Sequence, residues 1–316
     1  MPLQAIGVDE MEKIGVGIQR PEDVVVSADG RVWAADQQSA CAEILPDGSL
    51  RRIGDAGGAP NGINMDLEGR ILIANFGMFV DEPGPLQRLD VETGEVETLV
   101  AEIDGVELTS ANYPILDRRG NLWCSHSTSA TTMATVLDGR ADGYLFRVTP
   151  SGAVETLATG MEFANGLAFN ADESAIYVCQ SEGCNVVRYP INEDGSVGNG
   201  SQYGPSLGEP LPADFSFEDG LSPEVAATIG LPDGCGFDAE GNLWVTLPVA
   251  NKLVAITPEG SLEIIAHDPS GETLSVPTNV SWGGDDMRDL YVGSIAADYV
   301  LKMRSPVPGM PLIHQR

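Results

Sequence analysis

The chain has 316 residues, 42% of them hydrophobic, and 47 acidic residues against 17 basic ones give it a formal charge of −30. So acidic a surface excludes the positive face that nucleic acid or an anionic membrane requires, and leaves room for a metal cation and a neutral small molecule. No apolar run approaches the roughly 18 residues of a membrane helix, and the start Met-Pro-Leu-Gln-Ala-Ile-Gly lacks the basic head and apolar core of a signal peptide. The five Cys (Cys41, Cys124, Cys179, Cys184, Cys235) form no Cys-x-x-Cys pair, so they read as reduced thiols of a cytoplasmic protein.

Short β-branched and aromatic runs follow one another along the chain, with almost no helical periodicity. In order they are Asp23–Val26, Arg31–Ala35, Ile71–Ala74, Leu122–Cys124, Ile176–Cys179, Val186–Tyr189, Leu243–Thr246, Leu253–Ile256 and Leu290–Val292. Turn pairs such as Asp29-Gly30, Glu68-Gly69, Arg119-Gly120 and Glu240-Gly241 separate them, which is the rhythm of antiparallel strands. A repeat underlies it. Glu22, Asn61, Asn112 and Asp233 each stand eight residues before a glycine: Gly30, Gly69, Gly120 and Gly241. Asn165 reaches Glu173 at the same distance, and Asn279 reaches the Gly284–Met287 turn. Successive starts lie 39, 51, 53, 68 and 46 residues apart, enough for one four-stranded blade each. The spacing predicts an all-β fold, a six-bladed β-propeller occupying residues 1–316 as a single domain. Only three strands follow Asn279, so Gln4–Ile18 is expected to supply the outer strand of the last blade and close the ring.

In this arrangement every inner strand begins at its polar residue, close to the central axis. The three longest insertions, Phe76–Leu86, Ser125–Gly143 and Val197–Leu231, are then expected at the same mouth as the polar residues. Glu22, Asn112, Asn165 and Asp233 offer two carboxylates and two amide carbonyls there. Hard oxygen donors of this kind suit Ca²⁺ first, with Mg²⁺, Mn²⁺ or Zn²⁺ as other candidates. By spacing alone, a hydrogen-bonding ring that satisfies buried backbone fits equally well.

The phrases Pro21-Glu22, Ala164-Asn165-Gly166-Leu-Ala-Phe, Pro232-Asp233-Gly234 with Asp238-Ala-Glu-Gly-Asn-Leu-Trp-Val, and Pro277-Thr-Asn279-Val-Ser-Trp-Gly-Gly-Asp-Asp-Met-Arg-Asp-Leu-Tyr-Val resemble the senescence-marker-protein/gluconolactonase/luciferin-regenerating-enzyme family. The resemblance runs from about Pro21 to Met303. It implies a six-bladed propeller, similar in architecture to diisopropylfluorophosphatase and paraoxonase, with one divalent metal at the axis and lactone or ester hydrolysis as the reaction. By position it implies metal ligands at Glu22, Asn165 and Asp233, with Asn112 as a fourth ligand or a substrate contact. Asp233 is the candidate general base, and the bound metal polarises the lactone carbonyl.

The chain departs from the gluconolactonase branch at Ser110 and Tyr113, where that branch often carries Arg and Asp. The expected substrate is therefore a small-molecule lactone or ester more apolar than a sugar lactone, bounded by Asn61, Ser110, Tyr113, Phe76, Met78, Phe79 and Met133. His126, in the second insertion, is expected to contact substrate or orient water. A phosphotriesterase-like hydrolase on the same metal and a non-catalytic metal-binding scaffold remain alternatives, because a propeller by itself does not choose a chemistry.

Overall fold

The computed structural model describes residues 3–316, and they form six four-stranded antiparallel sheets arranged as propeller blades. Blade one is Val24–Val26, Val32–Ala35, Cys41–Ile44 and Leu50–Ile53. Blade two is Pro60–Met65, Ile71–Asn75, Leu86–Leu89 and Val96–Val100. Blade three is Ala111–Leu116, Leu122–His126, Gly143–Val148 and Val154–Met161. Blade four is Ala164–Phe169, Ala175–Gln180, Asn185–Pro190 and Ser201–Tyr203. Blade five is Cys235–Phe237, Leu243–Leu247, Lys252–Ile256 and Leu262–His267. Blade six takes Pro277–Gly283, Asp289–Ser294 and Val300–Arg304 from the C-terminal end and Glu12–Ile14 from the N-terminal end. Glu12 pairs with Lys302 and Ile14 with Val300, so the N-terminal strand closes the ring as expected and caps an edge that would otherwise invite association.

The repeat has a physical basis in the turn between the first and second strands. At the eighth position Gly30, Gly69, Gly120 and Gly241 hold φ between 78° and 86°. In the two copies that lack the glycine, Glu173 and Met287 still adopt φ of 55° and 53°. The turn geometry thus persists where the sequence cue is lost, at a backbone cost of about 1 kcal/mol each. A buried carboxylate organises the best copies. Asp238 accepts from the Glu240 and Asn242 amides, the Asn242 side chain and the indole Nε1–H of Trp244, at 2.7–2.9 Å. Asp117 does the same for Arg119, Asn121 and Trp123. These tryptophans are sealed between blades, where burying their rings contributes a few kcal/mol apiece.

The predicted insertions sit at the end of the molecule where the inner strands begin. The segment after Asn75 carries a short 3-10 turn, Gly77–Val80, and the segment after His126 carries another, Met133–Thr135. The third is shorter than expected: Ser201–Tyr203 belongs to blade four as its outer strand, and the excursion with the helical turn Pro223–Ala226 follows it. At the opposite end the tail after Arg304 crosses the channel. Its Met310 amide donates to Phe237, and Gln315 donates through Nε2 to the carbonyls of Val26 and Trp282, tying the tail to blades five, one and six.

Candidate active site

Each inner strand delivers its polar residue to the axis by one of two local devices. Asn61, Asn112, Asn165 and Asn279 each fall within a break in strand register, between Pro60 and Ile63, Ala111 and Pro114, Ala164 and Leu167, and Pro277 and Val280. A bulge there turns the side chain out of the alternating pattern. Glu22 and Asp233 instead stand two residues ahead of their strands. Glycine follows at Gly62, Gly166 and Gly234 because the neighbouring inner strand leaves no room. A Cβ on Gly166 would come within 2.6 Å of the Gly234 Cα, and one on Gly62 within 2.4 Å of the Asn112 carbonyl oxygen.

The ring closes through hydrogen bonds between these residues. Asn61 donates from Nδ2 to Glu22 Oε1 at 3.1 Å and to the Asn112 carbonyl at 3.3 Å. Asn112 donates from Nδ2 to Ser127 Oγ, and Asn165 from Nδ2 to Ser181 Oγ, both at 3.0 Å. Both NH₂ groups are thereby turned toward the serines, which leaves the amide oxygens as acceptors. Ser181 Oγ in turn donates to the carbonyl of Pro232, next to Asp233. Glu22 Oε2 is buried without a hydrogen-bond partner. Leaving a carboxylate oxygen dry costs more than a hydrogen bond gains, so this atom calls for a cation. Two carboxylates and two amide oxygens are donor types that suit a calcium-like ion, and the amides are needed, because among the described residues no group of three or more His, Cys, Asp or Glu is placed to hold a metal.

Electrostatics agree. Burial raises the Glu22 carboxyl to about 7, against the opposing pull of Arg20 and the Asn61 hydrogen bond. Burial and the nearby Glu22 charge push Asp233 upward, while Arg20 and Asn165 hold it back. Burial and Glu22 also raise Asp23, whose oxygens accept from Val24, Ile63 and the Asn279 amide. Two buried acids, Glu22 and Asp23, and the half-buried Asp233 thus favour protonation, and a divalent ion would relieve repulsion of this kind.

Other expected residues occupy different places. Asn61 is committed within the ring: its oxygen accepts from Arg20 and its NH₂ braces Glu22. Ser110 is fully buried, with Oγ donating to the Thr128 carbonyl and accepting from the Thr128 amide, so it fastens the second insertion and does not face the mouth. Tyr113 is also turned away from the mouth. It lines a cavity of about 40 Å³ below the ring with Leu167, Cys235, Val280 and the tail residue Met310. His126 is the last residue of a strand, not part of a mobile loop. It is 3% exposed, stacks on Tyr144 at 4.6 Å, and accepts the Thr109 and Ser110 amides at Nε2. Burial lowers its pKa to about 3, so it stays neutral, and its contacts are with Thr109, Ser110 and Tyr144. Phe76 and Met78 are buried against Ala130, Val136 and Phe163, with Met133 packed alongside. They stiffen the two insertions against each other, and Phe79 and Val80 are the apolar side chains of the first insertion that stay exposed.

Three features had no signal in the repeat. Arg20, two residues before Glu22, donates to the Pro60 carbonyl and to Asn61 Oδ1 at 2.8 and 2.5 Å and lies over the Phe79 ring at 4.3 Å. Asp23 read as the first residue of a strand. Ser127 and Ser181 lie 15 and 16 residues after their asparagines, an offset that shifts with loop length. The run Ser125-His126-Ser127 was a cue, because alternation on a strand places the two serines on one side and the histidine on the other.

Six four-stranded blades with polar residues at the heads of their inner strands define the class, a six-bladed β-propeller. Residues 74–296 match the family described as SMP-30/Gluconolactonase/LRE-like region, and the chain belongs to that family. Residues 8–38 also match the N-terminal region of strictosidine synthase-like proteins. Pentonolactonase XacC of Haloferax volcanii is 26% identical over 280 residues, covering 85% of this chain and 82% of that protein. Among solved structures, a luciferin-regenerating enzyme superposes with a TM-score of 0.70 at 19% identity, over 96% of this chain and 98% of the other. A calcium-binding protein, regucalcin, from Agrobacterium tumefaciens superposes with a TM-score of 0.67 at 17% identity, over 100% of this chain and 98% of the other.

Proposed function

We propose that the protein is a lactonase that works with one divalent cation, calcium first, held by Glu22, Asn112, Asn165 and Asp233. The observation that carries this reading is the buried, partnerless Glu22 Oε2 beside two asparagine amides whose nitrogens are occupied by serines. Membership of the family and the pentonolactonase relative support lactone hydrolysis as the reaction. The calcium-binding neighbour supports the choice of ion.

When bound, the cation supplies Lewis acidity for a carbonyl oxygen. The chain supplies the rest. Asn61 holds Glu22 in place, and Ser127 and Ser181 aim the amides. Asp233 keeps more solvent contact than Glu22, Asn112 or Asn165. Its carboxylate is the base that takes a proton from the attacking water, and it can return that proton to the departing alkoxide. Phe79 offers an apolar face beside the ring, which supports a substrate less hydroxylated than a sugar lactone. The five free, buried thiols support a reducing, cytoplasmic setting.

The test is hydrolysis of γ- and δ-lactones by wild type and Asp233→Asn. Loss of turnover in a folded variant that still melts like wild type supports the assignment; turnover within threefold of wild type removes Asp233 as the base.

A further inference from the structure

Among the described residues Arg20 is the one cation that acts on both Glu22 and Asp233, and its geometry is not that of a structural ion pair. No carboxylate of the described residues lies within salt-bridge distance of it. It is nonetheless close enough to Glu22 and Asp233 to feel both charges. Of its five N–H groups, one bonds the Pro60 carbonyl and one bonds Asn61 Oδ1, while Nε is buried without a partner. The Phe79 ring covers one face of the guanidinium and fixes its plane. The residue as a whole is half-buried. Its backbone adopts φ of 54°, in the left-handed region that a glycine would occupy without strain. A strained residue carrying an under-used planar cation, two positions from a candidate metal ligand, is the pattern of a binding group.

We infer that Arg20 is the specificity residue of the site and binds a carboxylate carried by the substrate, so that the preferred lactone is an anionic one with its carboxylate on Arg20 and its ring against Phe79. This inference rests on the lactonase reading for the identity of the ring, but not for the anion contact. The N–H left over on each terminal nitrogen suits a carboxylate, which accepts from a guanidinium more strongly than a neutral oxygen does.

The test uses lactams, which imitate the lactone ring without being hydrolysed. Binding of pyroglutamate and of 2-pyrrolidinone to the calcium-loaded protein is measured by calorimetry or ligand-observed NMR. Wild type is expected to bind pyroglutamate at least about tenfold more tightly than 2-pyrrolidinone. In Arg20→Gln the ratio should fall to within about twofold, and Arg20→Lys should keep part of it. Thermal melts check that both variants fold. A wild-type ratio near one, or a ratio unchanged in Arg20→Gln, overturns the inference. Hydrolysis of the anionic lactone 5-oxotetrahydrofuran-2-carboxylate, the ring-oxygen counterpart of pyroglutamate, by the wild type is scored separately. Its absence, with the lactam ratio intact, removes the lactonase reading and leaves the anion contact standing.

Discussion

Replacing Ser181 with alanine separates a metal ligand from a residue that merely lines the axis. Ser181 is 1% exposed. Its Oγ accepts from Asn165 Nδ2 at 3.0 Å and donates to the Pro232 carbonyl at 2.7 Å. The alanine variant leaves a buried amide donor and a buried carbonyl without partners, at about 1–3 kcal/mol each before relaxation, so a loss of about 2–4 kcal/mol in stability is expected. It also frees the Asn165 amide to rotate, so that nitrogen competes with oxygen for the axial position. Supporting contacts of this kind are worth about 10–100-fold in metal affinity. The assay is calorimetric titration of calcium into chelator-stripped protein, with urea denaturation run in parallel. Ser305→Ala is the control: Ser305 is also buried, its Oγ donates to Val307 in the tail, and it should lower stability without changing calcium affinity. Calcium affinity of Ser181→Ala within twofold of wild type, alongside the expected loss of stability, would refute the claim that Asn165 is a ligand held by Ser181.

Further outcomes follow from the same structure. Glu22→Gln removes one of the two ligand charges and should weaken calcium binding by at least about 100-fold, read by the same titration, while Asn61 keeps an acceptor at Oε1. Asp238→Ala orphans the Trp244 indole and the Asn242 amide inside blade five and should cost about 3–5 kcal/mol in urea denaturation, with calcium affinity of the folded protein unchanged. His314, in the tail, donates from Nε2 to the Val26 carbonyl of blade one, and burial lowers its pKa to about 4. Because the folded pKa lies below the unfolded value of 6.5, its contribution is fully present above pH 6.5 and is lost as the pH falls toward 4, by at most about 3 kcal/mol. Melting curves from pH 7 to pH 4 should therefore fall less steeply for His314→Gln than for wild type, and parallel curves would show that the tail does not hold this residue neutral.

The propeller was legible because its inner strands are apolar and its first turns demand left-handed backbone, so Gly30, Gly69, Gly120 and Gly241 mark the register directly. The outer strands were harder to read. Leu50–Ile53 and Val154–Met161 face solvent along much of their length and carry charged residues such as Arg51, Arg52 and Glu155, so they lack the alternation that marks a half-buried strand. The ring was visible for the same reason as the fold, since its residues share the turn register. Arg20 was not, because it precedes the register and its role comes from contacts with Pro60, Asn61 and Phe79 on another blade. The mouth was misjudged at Phe76, Met78, Ser110 and Tyr113. Loop residues have no periodicity to show which way they point, and an apolar side chain there packs on a neighbouring loop as readily as on a ligand. His126 was placed in a loop because its strand ends in Ser125-His126, polar residues that the blade buries through specific hydrogen bonds.

Lactone hydrolysis by chelator-stripped protein, measured before and after calcium is restored, tests the central claim most directly. The account predicts that stripped wild type loses at least about 100-fold of its activity, that calcium returns it, and that Asp233→Asn stays inactive with calcium present. Turnover that survives chelation undiminished, or no turnover of any lactone by calcium-loaded wild type, would contradict it.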